Sequence, residues 1–143
     1  MAEVRFYIDA DVLGLAKLLI QVRPDVTYPG DPGGVGCDGL TRPGCPTRPG
    51  DKDPDWIPIV AEAGWVIITR DRRMLNKPAE RQAIIDNKAR VVRFDARHEL
   101  TKWNQLEIAV TQWRRIEELL ELPGPWIYRA SRTAPLVREL PAR

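Results

Sequence analysis

Four aspartates stand next to apolar runs in a way that favours one shared site. Two of them lie within three residues after an apolar run at residues 4–8, and a third follows an apolar run at residues 65–69. The fourth lies in the first turn of a helix predicted before the second run. Ligands bind at the carboxyl edge of the strands in open α/β sheets, so we expect these carboxylates to converge there. They are Asp9, Asp11, Asp55 and Asp71.

Converging carboxylates repel one another unless a positive charge lies between them. Their oxygens are hard ligands, and no histidine or cysteine stands among them, which favours Mg²⁺ or Mn²⁺ over zinc. Such a cation lowers the pKa of a bound water and stabilises a phosphoryl transition state. The only histidine, His98, has no evident nucleophile partner, so Ser-His and Cys-His chemistry is excluded.

Each acid also has a purely structural interpretation. Asp11 and Asp53 are good helix caps, since a capping carboxylate accepts a backbone N–H without any metal. Asp71 suits a turn. A chance meeting of all the acids at one sheet edge is less expected than a structural role for any one of them.

The elements that must position the acids alternate between strand and helix. Apolar runs predict buried strands, and a Val26–Tyr28 run predicts a short additional one. Helical spacing predicts the intervening helices, the last of them long and amphipathic. The alternation predicts a three-layer α/β/α fold with a central, mostly parallel sheet. The strands are expected at 4–8, 65–69, 90–94 and 126–128, the last of them at an edge of the sheet and followed by an irregular tail. The helices are expected at 12–22, 53–64, 79–87 and 100–122.

Residues 29–50 are dominated by proline and glycine and have no periodicity. We expect one long inserted surface loop without regular elements, within a single domain that spans residues 1–143. The loop contains both cysteines, Cys37 and Cys45. Two cysteines do not make a disulfide framework, and whether this pair forms a bond stays open.

The composition fits a globular chain and excludes several classes. Hydrophobic residues make up 43% and charged residues 29% of the 143 residues, which is not the composition of a disordered protein. A net charge of +2 is too small to indicate a nucleic-acid binder by itself. No apolar stretch is long enough to cross a bilayer, and the first residues do not resemble a signal peptide, so we expect a cytoplasmic protein without membrane contact.

Basic and aromatic residues near the acids are candidates for contacts with a ligand. Arg70, Arg72 and Arg73 follow the second apolar run and suit contacts with phosphate, although a solvated helix face is an equal alternative. Trp56 stands beside an acid and is the better candidate for base stacking. The long helix carries Trp103 and Trp113, which we expect to contact the core or a second copy of the chain, as in a homodimer.

The order of these features resembles the PIN-like domain superfamily. FYIDAD at 6–11, DWIPIVAEA at 55–63 and VIITRD at 66–71 follow the order strand, acid pair, helix-start acid, strand and Thr-Arg-Asp. The similarity extends over residues 4–95. It is greatest to VapC-type ribonuclease toxins and the related Mut7-C-type domains.

The resemblance implies a role for each matching residue. Asp9 matches the first metal ligand and Asp11 the second acid of the pair, while Asp55 matches the helix-start acid and Asp71 the last ligand. Thr69 matches the hydroxyl residue near the scissile phosphate. These domains typically also have a helical glutamate, but no glutamate occurs between Glu3 and Glu62. Asp11 or Asp53 replaces it, or the metal site is weaker.

The resemblance also implies a function and partners. We expect an Mg²⁺- or Mn²⁺-dependent endoribonuclease with Asp9, Asp55, Asp71 and Thr69 as catalytic residues. A VapC-type toxin would have RNA as its substrate and a cognate antitoxin protein as its partner. The missing glutamate favours an alternative, a non-catalytic PIN-like module that binds RNA or protein. A haloacid-dehalogenase-type phosphatase fits Asp-x-Asp and Thr69, but only Asp95 follows the next strand where that chemistry needs an acidic pair.

Overall fold

A computed structural model describes residues 1–95 and 100–141, and for Arg73 and Leu75 it describes the backbone only. His98, which the sequence left without a role, lies outside the described residues. Two 3-10 turns cover Ala10–Val12 and Leu119–Glu121. The other elements are β1 Phe6–Ile8, α1 Leu13–Leu19, β2 Val26–Thr27, β3 Gly34–Val35, β4 Thr41–Arg42, α2 Asp53–Glu62, β5 Val66–Thr69, α3 Arg73–Asn76, α4 Pro78–Asp86, β6 Arg90–Phe94, α5 Lys102–Glu118, β7 Trp126–Ala130 and β8 Val137–Leu140.

The larger sheet has six strands in the order β2-β1-β5-β6-β7-β8. Strands β1, β2, β5, β6 and β7 are parallel, and β8 is antiparallel to β7. This mostly parallel sheet flanked by helices confirms the predicted α/β fold class. The parallel strands end at the same edge, so residues that directly follow β1, β5 and β6 come together there.

Helices cover both faces of this sheet, and side chains alternate between two cores. Ile8 and Ile68 point to the core formed with α1 and α5, where Ile108 and Trp113 are buried. Tyr7 and Ile67 point to the opposite core, formed with α2 and α4. Strands buried on both faces have no polar side, which explains why their sequences are nearly continuous apolar runs.

The connection from β1 to α1 is tighter than the sequence predicts. Asp9, not Asp11, acts as a cap: its carboxylate accepts the Ala10 N–H at 2.7 Å and begins the 3-10 turn. The α-helix then begins at Leu13 without a side-chain cap. It also ends earlier than predicted, at Leu19, so Val22 is 71% exposed. The 3-10 turn keeps Asp11 at the edge of the sheet.

The long amphipathic helix is confirmed as α5, but part of its predicted apolar side is wrong. Its buried side chains recur with helical spacing and include Ile108, Trp113 and Ile116. Trp103 lies off this stripe and is 67% exposed, so it does not contribute to the core. Nowhere in the described ranges 1–95 and 100–141 does a helix combine the length and apolar character needed to cross a membrane.

The proline- and glycine-rich segment 29–50 contains regular structure, contrary to prediction. Strands β3 and β4 pair antiparallel and form a small hairpin. At its base, the buried Asp31 carboxylate accepts two bonds from the Arg42 guanidinium, each 2.8 Å long. Cys37 and Cys45 are both thiols without a disulfide. Charge pairing and the hairpin ladder, neither of which leaves an apolar period in the sequence, therefore organise this segment.

The C-terminal part also differs from the prediction. Residues 126–128 were expected to form an edge strand followed by an irregular tail. Instead β7 lies between β6 and β8, and the tail supplies the edge strand β8. Strand β8 reads VREL, with two adjacent charged residues, Arg138 and Glu139, so its sequence shows no apolar run or alternation.

The Asp31–Arg42 pair is expected to hold the hairpin on the protein. Asp31→Asn leaves the buried Arg42 charge without its partner, a change that typically costs about 3–5 kcal/mol. We predict that a broad-specificity protease cleaves residues 29–50 of this variant at least about tenfold faster than in the wild type. Asp38→Asn, at the exposed tip of the same hairpin, is the matched control. Equal cleavage of both variants would show that the ion pair does not hold the segment.

Candidate functional site

The hydroxyl of Thr69 joins the ends of β1 and β5. It donates a hydrogen bond of 2.9 Å to Oδ2 of Asp9, whose side chain is buried. The β1 ladder continues one residue past the strand, because the Asp9 N–H donates to the Ile68 carbonyl. Asp9 is therefore fixed by its backbone, by the Ala10 N–H and by Thr69. A buried carboxylate with several donors has a defined orientation, as a ligand for a cation requires.

Two further acids lie around the same hydroxyl. The Asp11 carboxylate oxygens are 3.3 and 3.4 Å from Thr69 Oγ1, and the Asp71 backbone N–H donates to that oxygen at 3.1 Å. A hydroxyl has one proton, so it donates to one carboxylate at a time, and the shorter distance favours Asp9. The structure thus brings Asp9, Asp11 and Asp71 to the carboxyl edge of β1 and β5.

Of the two acids in the first turn of α2, Asp53 is the one whose described interactions reach Asp9. Asp53, the first residue of α2, is partly buried, and its charge acts on Asp9. Asp55 is exposed. Residues two positions apart on a helix point in different directions, so the two acids have different surroundings. The helix begins at Asp53, so Lys52 rather than Asp53 occupies the cap position.

Trp56 explains part of this orientation and is not available for base stacking. Its ring is 3% exposed and stacks on Tyr7 with a centroid distance of 5.1 Å. Its indole N–H donates to the Asp53 carboxylate at 2.9 Å. The predicted stacking role is therefore wrong, because the ring is used in the core beneath α2. The signal in the sequence was the spacing: Trp56 is one turn after Asp53, a distance over which helical side chains meet.

Burial and mutual repulsion raise the pKa of two of these acids. Removal from water, followed by the charge of Asp11, raises the pKa of Asp9 to about 7, although the bonds from Thr69 and Ala10 oppose the shift. Removal from water also raises the pKa of Asp11 to about 6, with the charge of Asp71 contributing and the Arg70 backbone N–H opposing. These carboxylates therefore lie where negative charge is poorly compensated by the protein alone.

The basic residues after Asp71 have different surroundings. Arg70 is exposed, and its charge lowers the pKa of Asp11, so its guanidinium side chain acts at the acid edge. Arg72 is exposed but forms an ion pair of 2.9 Å with Asp95. The side chain of Arg73 lies outside the described part. Of the three predicted phosphate contacts, Arg70 is the one whose described interactions reach the acids.

The donor chemistry of this edge fits a hard divalent cation, but the present arrangement is not a complete metal site. Within the described residues, no group of three or more acidic, histidine or cysteine side chains has the geometry to hold a metal ion. The buried carboxylates with raised pKa values are nevertheless the groups that a cation would stabilise in their charged form. Asp9 and Asp11 would be the first ligands of such a cation. The charge of Asp53 acts on Asp9 and that of Asp71 acts on Asp11, so these two acids are the next candidates.

Comparison with known proteins supports the resemblance over part of the chain. The model of a family described as a PIN-like domain matches residues 40–96, which is less than half of the chain. The matched range includes Asp53, Thr69 and Asp71, and it supports a relationship to the PIN-like superfamily and hence a nuclease-type module. Asp9 lies outside the range but is hydrogen-bonded to Thr69 within it. No curated protein and no solved structure matches the chain significantly.

The raised pKa values predict how the metal-free protein responds to pH. Between the ordinary pKa of 3.8 and the folded value of about 7, the folded chain keeps a proton on Asp9 that the unfolded chain loses. The folded state then binds more protons, so the free energy of unfolding falls as pH rises through this range. We predict that Asp9→Asn flattens this fall and raises the melting temperature at pH 8.

Melting curves recorded from pH 5 to pH 8 without divalent metal test this prediction. Asp86→Asn, an exposed acid of α4, changes the net charge equally and serves as the control. If the melting temperature of Asp9→Asn falls with pH as steeply as that of the wild type, Asp9 is not the acid whose charge is disfavoured by burial.

Proposed function

Because part of the chain matches a PIN-like family, we propose that the protein is an Mg²⁺- or Mn²⁺-dependent endoribonuclease whose site is the acid edge at the ends of β1 and β5. The observation that carries the proposal is the contact of Thr69 with both Asp9 and Asp11. It brings two carboxylates together at the edge where open α/β sheets bind ligands. Burial of these acids does not stabilise the fold, because removal from water disfavours their charged forms. Their raised pKa values reflect this.

We propose Asp9, Asp11, Asp53 and Asp71 as the metal-binding residues, with Asp53 in place of Asp55. Asp53 supplies the acid from α2 that acts on Asp9, and it is also one of the two residues that could replace the missing glutamate. A bound Mg²⁺ or Mn²⁺ would supply the positive charge that activates water and neutralises charge on a phosphodiester. Oxygen donors without sulfur or imidazole favour these hard cations.

The residues of the chain have separate parts in this mechanism. Thr69 orients Asp9 by donating to it and holds the following segment by accepting the Asp71 N–H. This role is more specific than the phosphate contact that the resemblance implied. Arg70 lies at the acid edge and is exposed, so its guanidinium side chain is the one we assign to the substrate phosphate. Arg72 and Arg73 remain secondary candidates for that contact.

The proposal extends to the biological role of the protein. Similarity to VapC-type toxins suggests the toxin of a type II toxin–antitoxin pair, with a cognate antitoxin covering the acid edge and cytoplasmic RNA as the target. Expression of the chain in bacterial cells tests this role. Growth arrest by the wild type but not by Asp9→Asn supports a toxin, and normal growth with well-folded wild type contradicts it.

A second function, binding of RNA or protein without catalysis, is favoured by one observation. The described residues contain no group of three or more metal-binding side chains in a suitable arrangement. In the protein-binding form of this alternative, the acid edge would bind a basic partner instead of a cation. The phosphatase alternative is less supported, because Asp95 forms ion pairs with Arg72 and Arg93 and so does not act as an additional acid at the site.

Two neighbouring acids of α2 offer a matched test of the nuclease proposal. Cleavage of structured RNA with Mn²⁺ is compared for the wild type, Asp9→Asn, Asp53→Asn and Asp55→Asn. We predict a loss of at least about a hundredfold for the first two variants, a typical effect of removing electrostatic stabilisation at a reacting centre. Asp55→Asn should retain activity within a few fold. Equal activity of all variants would contradict the site, and loss only in Asp55→Asn would restore the ligand set implied by the resemblance.

If the wild type binds Mn²⁺ but cleaves no RNA, the result would support the non-catalytic binding module over the nuclease. A wild type that binds neither would contradict both the metal site and the nuclease.

A further inference from the structure

Arg93 is a charged residue near the carboxyl end of the central strand β6. It is 5% exposed and lies directly beside Thr69 in the strand register. A buried guanidinium is costly unless its donors are satisfied, so its partners must be held in place as well. Its neighbours in the strand, Val92 and Phe94, are apolar, and a charge between two apolar residues was the signal that the sequence interpretation missed.

The partners of Arg93 form a chain of ion pairs across the sheet edge. Its Nε and Nη2 donate to the two carboxylate oxygens of Glu139 in β8, at 3.1 and 2.9 Å. Its Nη1 donates to Asp95 at 3.2 Å. The same Asp95 oxygen accepts Arg72 at 2.9 Å. These ion pairs therefore connect strand β8 with Arg72, the residue that follows Asp71.

We propose that Arg93 and Asp95 are positioning residues, which hold the Asp71 segment against the acid edge through Arg72. This segment has an anchor on each side: the Asp71 N–H binds the Thr69 hydroxyl, and Arg72 binds Asp95. The bidentate pair of Arg93 with Glu139 fixes the orientation of the planar guanidinium. It thereby fixes the position of Nη1, which donates to Asp95. The functional consequence for metal binding rests on the nuclease proposed above.

Burial distinguishes this network of ion pairs from one on the protein surface. The side chains of Arg93 and Glu139 are 6% and 12% exposed, whereas the Arg72 side chain is 67% exposed. A surface pair such as Arg72 with Asp95 would be weak alone, since both partners lose side-chain freedom. Here Asp95 is already oriented by a buried cation, so less freedom is lost when Arg72 binds. The buried end of this network lies in the sheet, and its exposed end is Arg72, which directly follows Asp71.

Two substitutions of the same residue separate positioning from general stability. Asp95→Asn removes the charge that binds both arginines, whereas Asp95→Glu keeps it. Glu107→Gln, which removes the exposed pair with Arg132, is the control outside the network. Hydrogen exchange is measured for the Asp71 and Arg72 amides and, as a reference for global stability, for the amides of β1.

We expect faster exchange of the Asp71 and Arg72 amides in Asp95→Asn, by about tenfold relative to β1, with partial recovery in Asp95→Glu and no change in the control. Mn²⁺ affinity should fall by about tenfold in Asp95→Asn, the lower end of the usual effect of residues behind a ligand. An exchange pattern that changes only in proportion to β1 would overturn the positioning role. If the wild type binds no Mn²⁺, the nuclease proposal fails, and the exchange result alone still decides whether Asp95 positions the segment.

Discussion

The hydrogen bond from Thr69 to Asp9 is the contact on which the rest of the site depends. Asp9 directly follows β1 and Thr69 is the last residue of β5. The bond therefore forms only if these two strands are adjacent and parallel with a fixed register. That register is set by the apolar side chains on both faces of the sheet, since a shift of one residue would exchange the two cores. The folding of the hydrophobic sheet therefore determines where the polar groups meet.

This placement has an electrostatic cost that the fold does not compensate. Asp9 accepts hydrogen bonds from Thr69 and Ala10, yet its pKa remains well above the ordinary value because burial and the neighbouring acids outweigh those bonds. Other buried acids of the chain behave in the opposite way. Asp25 and Asp31 are paired with arginines, and their pKa values are lowered despite burial. The contrast separates acids whose charge is paired with arginines from Asp9 and Asp11, whose charge the described residues leave poorly compensated at the ends of β1 and β5.

Much of this arrangement could be predicted from the sequence because it depends on local apolar runs. Two such runs predicted β1 and β5, and the residues that follow them predicted the position of Asp9, Asp11 and Asp71 at one edge. The side of α2 that faces the core could not be predicted, because it depends on the rotation of the helix that the burial of Trp56 sets. Strand β8 and the hairpin at 29–50 were missed for another reason. Both are held by long-range ion pairs, Arg93–Glu139 and Asp31–Arg42, which leave no period in the sequence.

The central claim is that the acid edge holds carboxylates whose charge is stabilised only by an added cation. Carbon-detected NMR titration of the Asp9 side-chain carboxyl, with and without Mg²⁺, measures this directly, and Asp9→Asn assigns the resonance. The account predicts a pKa of about 7 in the metal-free protein and a clear decrease when Mg²⁺ is present, because the cation binds the ionised form. A pKa near the ordinary value without metal, or one that Mg²⁺ leaves unchanged, would contradict it.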